Sequence, residues 1–135
     1  MNQEVRKFLI DQCVKGQPVY YEAIGHMLGL DLGLESQRQI LSKTLGEISA
    51  FEYEQDRPLI SSIAIYKQKN DHGYDFYNLC EELGIGKASK LSKELFGFTQ
   101  IKACKHFWQN KENYNAFADL AVEETIVNSK HIKMA

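Results

Sequence analysis

Apolar and polar positions alternate along this chain with the period of a helix, with one clear break. Over residues 3–15, Val5, Phe8, Leu9 and Gln12 or Cys13 recur at helical spacing; Gly16 ends the run and Pro18 discourages its continuation. Val19 to Leu28 reads as a second helix with Tyr20, Ile24, Met27 and Leu28 on one face, softened by Gly25 and Gly29. Leu30–Leu34 connects it to a third helix. Ser36 is a suitable N-cap for that helix, with Gln39 three residues later as a capping box requires. Leu41, Leu45 and Ile48 mark its buried face. The break comes at Leu59 to Tyr66, where Ile60, Ile63, Ile65 and Tyr66 favour a strand and Pro58 stands at the entrance. Both faces of that strand are partly apolar, which predicts cover on each side. Phe51–Glu54 is expected to pair with it as a short strand, with residues 55–57 as the hairpin turn.

A polar loop, Lys67–Gly73, returns the chain to helical periodicity. Tyr74–Leu83 carries the stripe Phe76, Leu79, Cys80 and Leu83, and Gly84 stops it. Residues 88–96 form a fifth helix with Ala88, Leu91 and Leu95 facing inward. Gly97 separates it from a sixth, Thr99–Gln109, with Ile101, Cys104 and Trp108 in one stripe. Asn110–Asn113 is a polar break, Tyr114–Val127 a last helix, and Asn128–Ala135 an expected frayed end. The expected fold is mainly α (α+β). A winged-helix-like trihelical unit with a short β-hairpin covers residues 1–70, and a helical extension covers 74–127. Neither part alone would bury an adequate core, so 1–135 is read as a single domain.

Composition narrows the class. An apolar fraction of 44% argues against disorder. The net charge of -2 offers no global basic field. The charge is unevenly placed, however: residues 1–86 hold eight basic and thirteen acidic residues, residues 87–135 eight basic and five acidic. That split points to two surfaces of opposite sign. No apolar run has spanning length and no signal-peptide core opens the chain, so a cytoplasmic protein without membrane contact is expected. Cys13, Cys80 and Cys104 have neither disulfide-framework nor zinc spacing.

The candidate chemistry is that of binding. On the third helix, Arg38, Gln39, Ser42 and Lys43 have the side chains that reach phosphates or base edges, and a recognition helix would present them to a major groove. Glu35, Glu47, Glu52, Glu54 and Asp56 lie close by and oppose phosphate. Between Lys87 and Lys111 there are six lysines and one acid, Glu94. Lys90, Lys93, Lys102 and Lys105 are the auxiliary phosphate contacts of that reading; as ordinary solubilising residues they need no partner. No catalytic residues stand out. His72 beside Asp71 lacks a nucleophile, Glu81 and Glu82 point apart on a helix turn, and Gly84-Ile-Gly86-Lys87 lacks the frame of a phosphate loop. The four scattered histidines set no metal site, and no cofactor is implied.

The order Tyr20 to Leu30, Arg57-Pro-Leu-Ile-Ser-Ser-Ile-Ala-Ile65, Gly73-Tyr-Asp-Phe76 and Glu82-Leu-Gly84 resembles a family of small uncharacterised bacterial and phage-type proteins. That family writes the middle strand Arg-Pro-Leu-Leu-Ser and follows it with Gly-x-Gly-Phe; Asp75 stands here at the second glycine. The resemblance spans about residues 20–84, supplies no activity, and implies a mobile-element or host-defence context. Two functions follow as expectations. One is a non-enzymatic nucleic-acid-associated module working through Arg38, Gln39, Ser42 and Lys43. The other is a protein-interaction module (inhibitor, adaptor or homodimer) built on a degenerate winged helix and its acidic front.

Overall fold

The computed structural model describes residues 1–120, so the expected helix beyond Leu120 and the end 128–135 lie outside the described residues. The described chain is mainly helical: α1 (Gln3–Lys15), α2 (Tyr21–Met27), α3 (Glu35–Glu54), α4 (Tyr74–Glu82), α5 (Ala88–Lys93), α6 (Phe96–Trp108) and α7 (Lys111–Phe117). Two strands, β1 (Val19–Tyr20) and β2 (Ala64–Ile65), pair in parallel with Val19 opposite Ala64 and Tyr20 opposite Ile65. α1 matches the sequence expectation residue for residue. Asn2 Oδ1 accepts the Val5 amide at 2.9 Å, and Gly16 closes the helix at a φ of 73° that a side chain would resist. α2 begins at Tyr21, two residues later than expected, because Val19 and Tyr20 are taken up by β1. No element among the described residues is long and apolar enough to cross a membrane as a helix.

The expected hairpin is replaced by helix. Phe51–Glu54 forms the last turn of α3, and residues 55–57 fold back on its end. The amides of Gln55 and Arg57 bond to the Glu52 carbonyl, and that of Asp56 to the Tyr53 carbonyl. The winged-helix-like picture therefore loses its wing among the described residues. The physical reason is Glu52. Leu41, Leu45, Ile48, Ser49 and Glu52 are all buried and continue one helical stripe, which a polar reading of Glu52 cuts short. Glu52 is fully buried because Arg6 Nε donates to its Oε1 at 3.0 Å and Arg57 Nε to its Oε2 at 2.7 Å. Arg6 also donates to the carbonyls of Ala118 and Phe117, at 3.1 and 2.8 Å. At its other end α3 starts at Glu35 without a side-chain cap, so Ser36 is not the N-cap.

The central stretch is as buried as its sequence predicts but is not one strand. Leu59 through Ile65 are all buried, yet Ile60–Ile63 is a 3₁₀ turn and only Ala64–Ile65 is extended. A buried segment without a ladder must satisfy its backbone some other way. Gln100 Oε1 accepts the Leu59 amide at 2.9 Å and Ser49 Oγ accepts the Ser61 amide at 2.9 Å. The Leu59 carbonyl accepts the Ser62 amide at 3.0 Å and the Cys104 thiol at 3.4 Å. The Ser62 carbonyl lies 2.6 Å from His72 Nε2. Side chains from α3, α6 and the loop before α4 thus replace partner strands.

The main core gathers α1, the buried side of α3, the central stretch and α6, including Leu9, Ile10, Ile48, Ile60, Ile63 and Trp108. A second cluster, Leu59, Phe76, Tyr77, Cys80 and Leu91, joins α4 and α5 to it. Three expectations change in this half. The break expected at Asn110–Asn113 is the start of α7, where Asn110 Oδ1 caps the helix by accepting the Asn113 amide at 3.0 Å. Leu95 is 57% exposed at a φ of 57° between α5 and α6, so it does not face inward. Gly97 lies inside α6 and does not separate helices. A Cβ there would stand 2.4 Å from His72 Nδ1, so the ring sits where only glycine leaves room.

Replacing Glu52 with alanine is expected to remove the carboxylate that two buried guanidiniums share and cost about 3–5 kcal/mol of unfolding free energy, read from urea denaturation. A loss below about 1 kcal/mol would show that the buried pair does not hold the fold together.

Candidate functional site

The stretch of α3 from Glu35 to Ala50 lines a groove of about 870 Å³ shared with α2 and α4. Helical geometry explains what α3 presents there. Arg38, Gln39, Ser42 and Lys43 fall on adjacent turns of one face, and all four line the groove. Leu41 and Leu45 from α3 and Phe76 from α4 supply a buried apolar floor, with half-buried Leu32 and Leu79 above it. Across from α3, Glu22 projects from α2, and Asp75, Asn78 and Glu82 from α4. The four sequence-predicted α3 residues are therefore brought together, but as one wall of a groove between helices.

The α4 wall escaped the sequence reading. Its stripe Asp75, Asn78, Leu79 and Glu82 runs beside the core stripe Phe76, Tyr77 and Cys80. Leu79 was assigned to the core stripe, where its spacing from Phe76 and Cys80 fits equally well. The available signal was the polar company Leu79 keeps at i-4, i-1 and i+3.

The electrostatics of the groove are acidic. Five carboxylates, Glu22, Glu35, Glu47, Asp75 and Glu82, line it against two cations, Arg38 and Lys43. Both cations have neighbours. Arg38 donates to the Leu32 carbonyl at 2.9 Å, pinning the preceding loop to α3, and Lys43 stands 4.0 Å from Glu47. Among the described residues, Glu22, Glu35, Asp75 and Glu82 form no ion pair. The auxiliary lysines are not gathered at this site. Lys90 and Lys93 lie on α5, and Lys102 and Lys105 on α6, none of them lining the groove. Lys90 stands 4.0 Å from Glu94 on its own helix.

One end of the groove is aromatic. The rings of Tyr21 and Tyr66 lie 4.6 Å apart, and Tyr66 covers Gly73, where a Cβ would meet its ring at 2.6 Å. Burial pushes the Tyr21 hydroxyl up to about 12, against the pull of the Gly73 backbone. Behind this end His72 is buried among Phe76, Tyr77 and Phe98. The Ser62 carbonyl can only accept, so Nε2 carries the ring proton. Nδ1 is then an acceptor 3.5 Å from Asp71 Oδ1, and it is buried without a hydrogen-bond partner. Burial lowers the His72 pKa from its ordinary 6.5, opposed by the Ser62 carbonyl and Asp71.

The three cysteines are free and buried, as the apolar stripes carrying Cys80 and Cys104 predict for those two. The hydrogen bond with Cys104, followed by burial, pushes the Cys13 thiol far up, and burial pushes Cys80 up to about 11. Thiols so disfavoured as thiolates are poor nucleophiles. Among the described residues no three His, Cys, Asp or Glu side chains converge on a common point suited to a metal. No family model matches the chain, and no curated protein or solved structure matches it.

His72 gives the fold a pH dependence of known sign. Its folded pKa lies below 6.5, so the unfolded chain binds the proton first as pH falls. The stability present above pH 6.5 is lost below it, at no more than about 1.4 kcal/mol per pH unit. Urea melts between pH 7 and 5 are expected to show a shallower loss in His72→Gln than in the wild type. Identical slopes would show that His72 does not titrate with unfolding.

Proposed function

We propose that the chain is a non-enzymatic protein-interaction module that holds its partner in the groove between α3 and α4. One observation carries this reading. The wall that presents Arg38, Gln39, Ser42 and Lys43 belongs to a groove with five carboxylates and two cations over an apolar floor. A phosphate approaching Arg38 or Lys43 meets Glu35, Glu47 and the opposing Asp75 and Glu82, and in a cleft of low-dielectric walls that repulsion is focused. Desolvated apolar surface flanked by charge is instead the make-up of a protein-binding patch. The size of the groove falls in the range of roughly 300–1,000 Å³ typical of binding clefts.

This ranks a protein partner above the nucleic-acid partner that Arg38, Gln39, Ser42 and Lys43 suggest when read alone. It also moves the acidic determinant within the front, away from the end of α3. Glu52 is buried in the core and contacts no partner, while Glu22, Asp75 and Glu82 take its place.

Fluorescence anisotropy with labelled duplex DNA, single-stranded DNA and RNA, from low to physiological salt, tests the ranking. Any binding is expected to disappear by physiological salt and to be indifferent to Lys43→Ala. Binding that persists there and weakens ten-fold or more with Arg38→Ala or Lys43→Ala would restore the nucleic-acid reading. A photo-crosslinking residue at Leu79 is expected to yield protein adducts that one at Lys102 does not.

A further inference from the structure

We infer that the occupant of this groove is an amphipathic helix with two basic residues seven positions apart, an inference that rests on the protein-binding reading above. The walls decide the conformation of the occupant. The two long sides of the groove are the helices α3 and α4, with Leu32, Ser61, Tyr66, Gln68 and Gly73 contributed by the connecting segments, and no residue of β1 or β2 lines it. Strand addition uses the backbone edge of a strand, whereas side chains projecting from two helices receive a third helix by ridge-and-groove packing. On α3 the lining runs from Glu35 to Ala50, about 22 Å at 1.5 Å per residue, enough for roughly four turns of a docked helix.

Charge sets the composition and the register. The charged residues of the α4 wall are both acidic, Asp75 and Glu82, seven residues apart, or about 10.5 Å along the axis. A helix lying along α4 matches that spacing with Lys or Arg at i and i+7. Between those two turns α4 presents the half-buried Leu79, which calls for apolar side chains at i+3 and i+4, while Leu41 and Leu45 of α3 are already buried in the core. The α3 wall carries both signs, Arg38 and Lys43 with Glu35 and Glu47, and so favours a mixed polar flank on that side. An acidic helix would bring like charges against Asp75 and Glu82, and a wholly apolar one would strip water from them without compensation.

A display library of 15-residue helix-forming peptides, selected on the full chain, tests this. Enriched peptides are expected to carry Lys or Arg at i and i+7 with Leu, Ile, Phe or Met at i+3 and i+4. A synthetic consensus peptide is then expected to bind by anisotropy. Its affinity should fall at least ten-fold in Asp75→Lys/Glu82→Lys and in Leu79→Asp, and stay unchanged in Lys102→Glu. Circular dichroism checks that each variant is folded. A peptide with Glu at i and i+7 should bind the doubly reversed variant better than the wild type, a rescue that misfolding cannot produce. Enrichment of extended or proline-rich peptides that still depend on Leu79 would overturn the helix and leave the groove as a protein site. Absence of any peptide whose binding depends on Leu79 or Asp75 would overturn both.

Discussion

Burying a carboxylate between two guanidiniums is costly, and the arrangement of Arg6, Glu52 and Arg57 shows what that cost secures. Each ion loses water, and only good geometry with further hydrogen bonds offsets the loss. Both Glu52 oxygens are used, and Arg6 also donates to the carbonyls of Ala118 and Phe117. Phe51 lies 5.4 Å from both guanidinium carbons, with Trp108 near Arg6 and Phe117 near Arg57, so the cations also rest on aromatic faces. Burial pushes the Glu52 carboxyl above the usual range while the two guanidiniums pull against it. The cluster joins α1, the end of α3, the entry to the central stretch and the residues after α7. An apolar substitute would fill the space but would not dictate which four segments meet there.

The central stretch depends on that junction. Arg57 and Pro58 deliver the chain into the core directly after α3, where Ile60–Ile63 turns as a 3₁₀ segment before the two residues of β2 pair with β1. The polar groups of Leu59, Ser61 and Ser62 are met by Gln100, Ser49, Cys104 and His72. His72 then requires Gly97 beneath it, and Gly97 accepts a further constraint from the Tyr77 hydroxyl, 3.2 Å from its amide. A chain of buried polar contacts thus runs from α3 through the middle of the molecule to His72, whose Nδ1 alone of these is left without a hydrogen-bond partner. Where its members are paired, such a network stiffens the segments it joins.

Helix existence and burial were legible in the sequence, while the conformation of the middle was not. α1 and α4 announce themselves by period and by terminal glycines. The run Leu59–Ile65 is buried as its isoleucines indicate, but β propensity expresses a fit to a half-buried pleated surface, and here there is no sheet beyond two short strands. Glu52 defeats the reading of Phe51–Glu54 because its partners lie 46 positions upstream and five downstream, and nothing local marks it as buried. Gly97 looks like punctuation because the ring that needs it comes from a loop 25 residues earlier. Arg38, Gln39, Ser42 and Lys43 were correctly placed on one helix face. What stands opposite them was invisible, since it is fixed by how α4 packs and not by any spacing along the chain.

That opposing wall changes the meaning of the charges. By composition the front of the chain is acidic and the back basic, which suggests two faces of opposite sign. In the folded molecule one acid of the front, Glu52, is consumed by the core, and Arg6 and Arg57 are consumed with it. Removing those three leaves the front's remaining acids outweighing its remaining bases by a larger ratio than the sequence count suggests. Glu22, Asp75 and Glu82 then line one side of a groove whose other side carries Arg38 and Lys43. A uniform acidic surface would attract any cation. A groove acidic on one wall, mixed on the other and apolar between them presents two different flanks, and under the proposed protein-binding reading that asymmetry would supply discrimination and not only attraction.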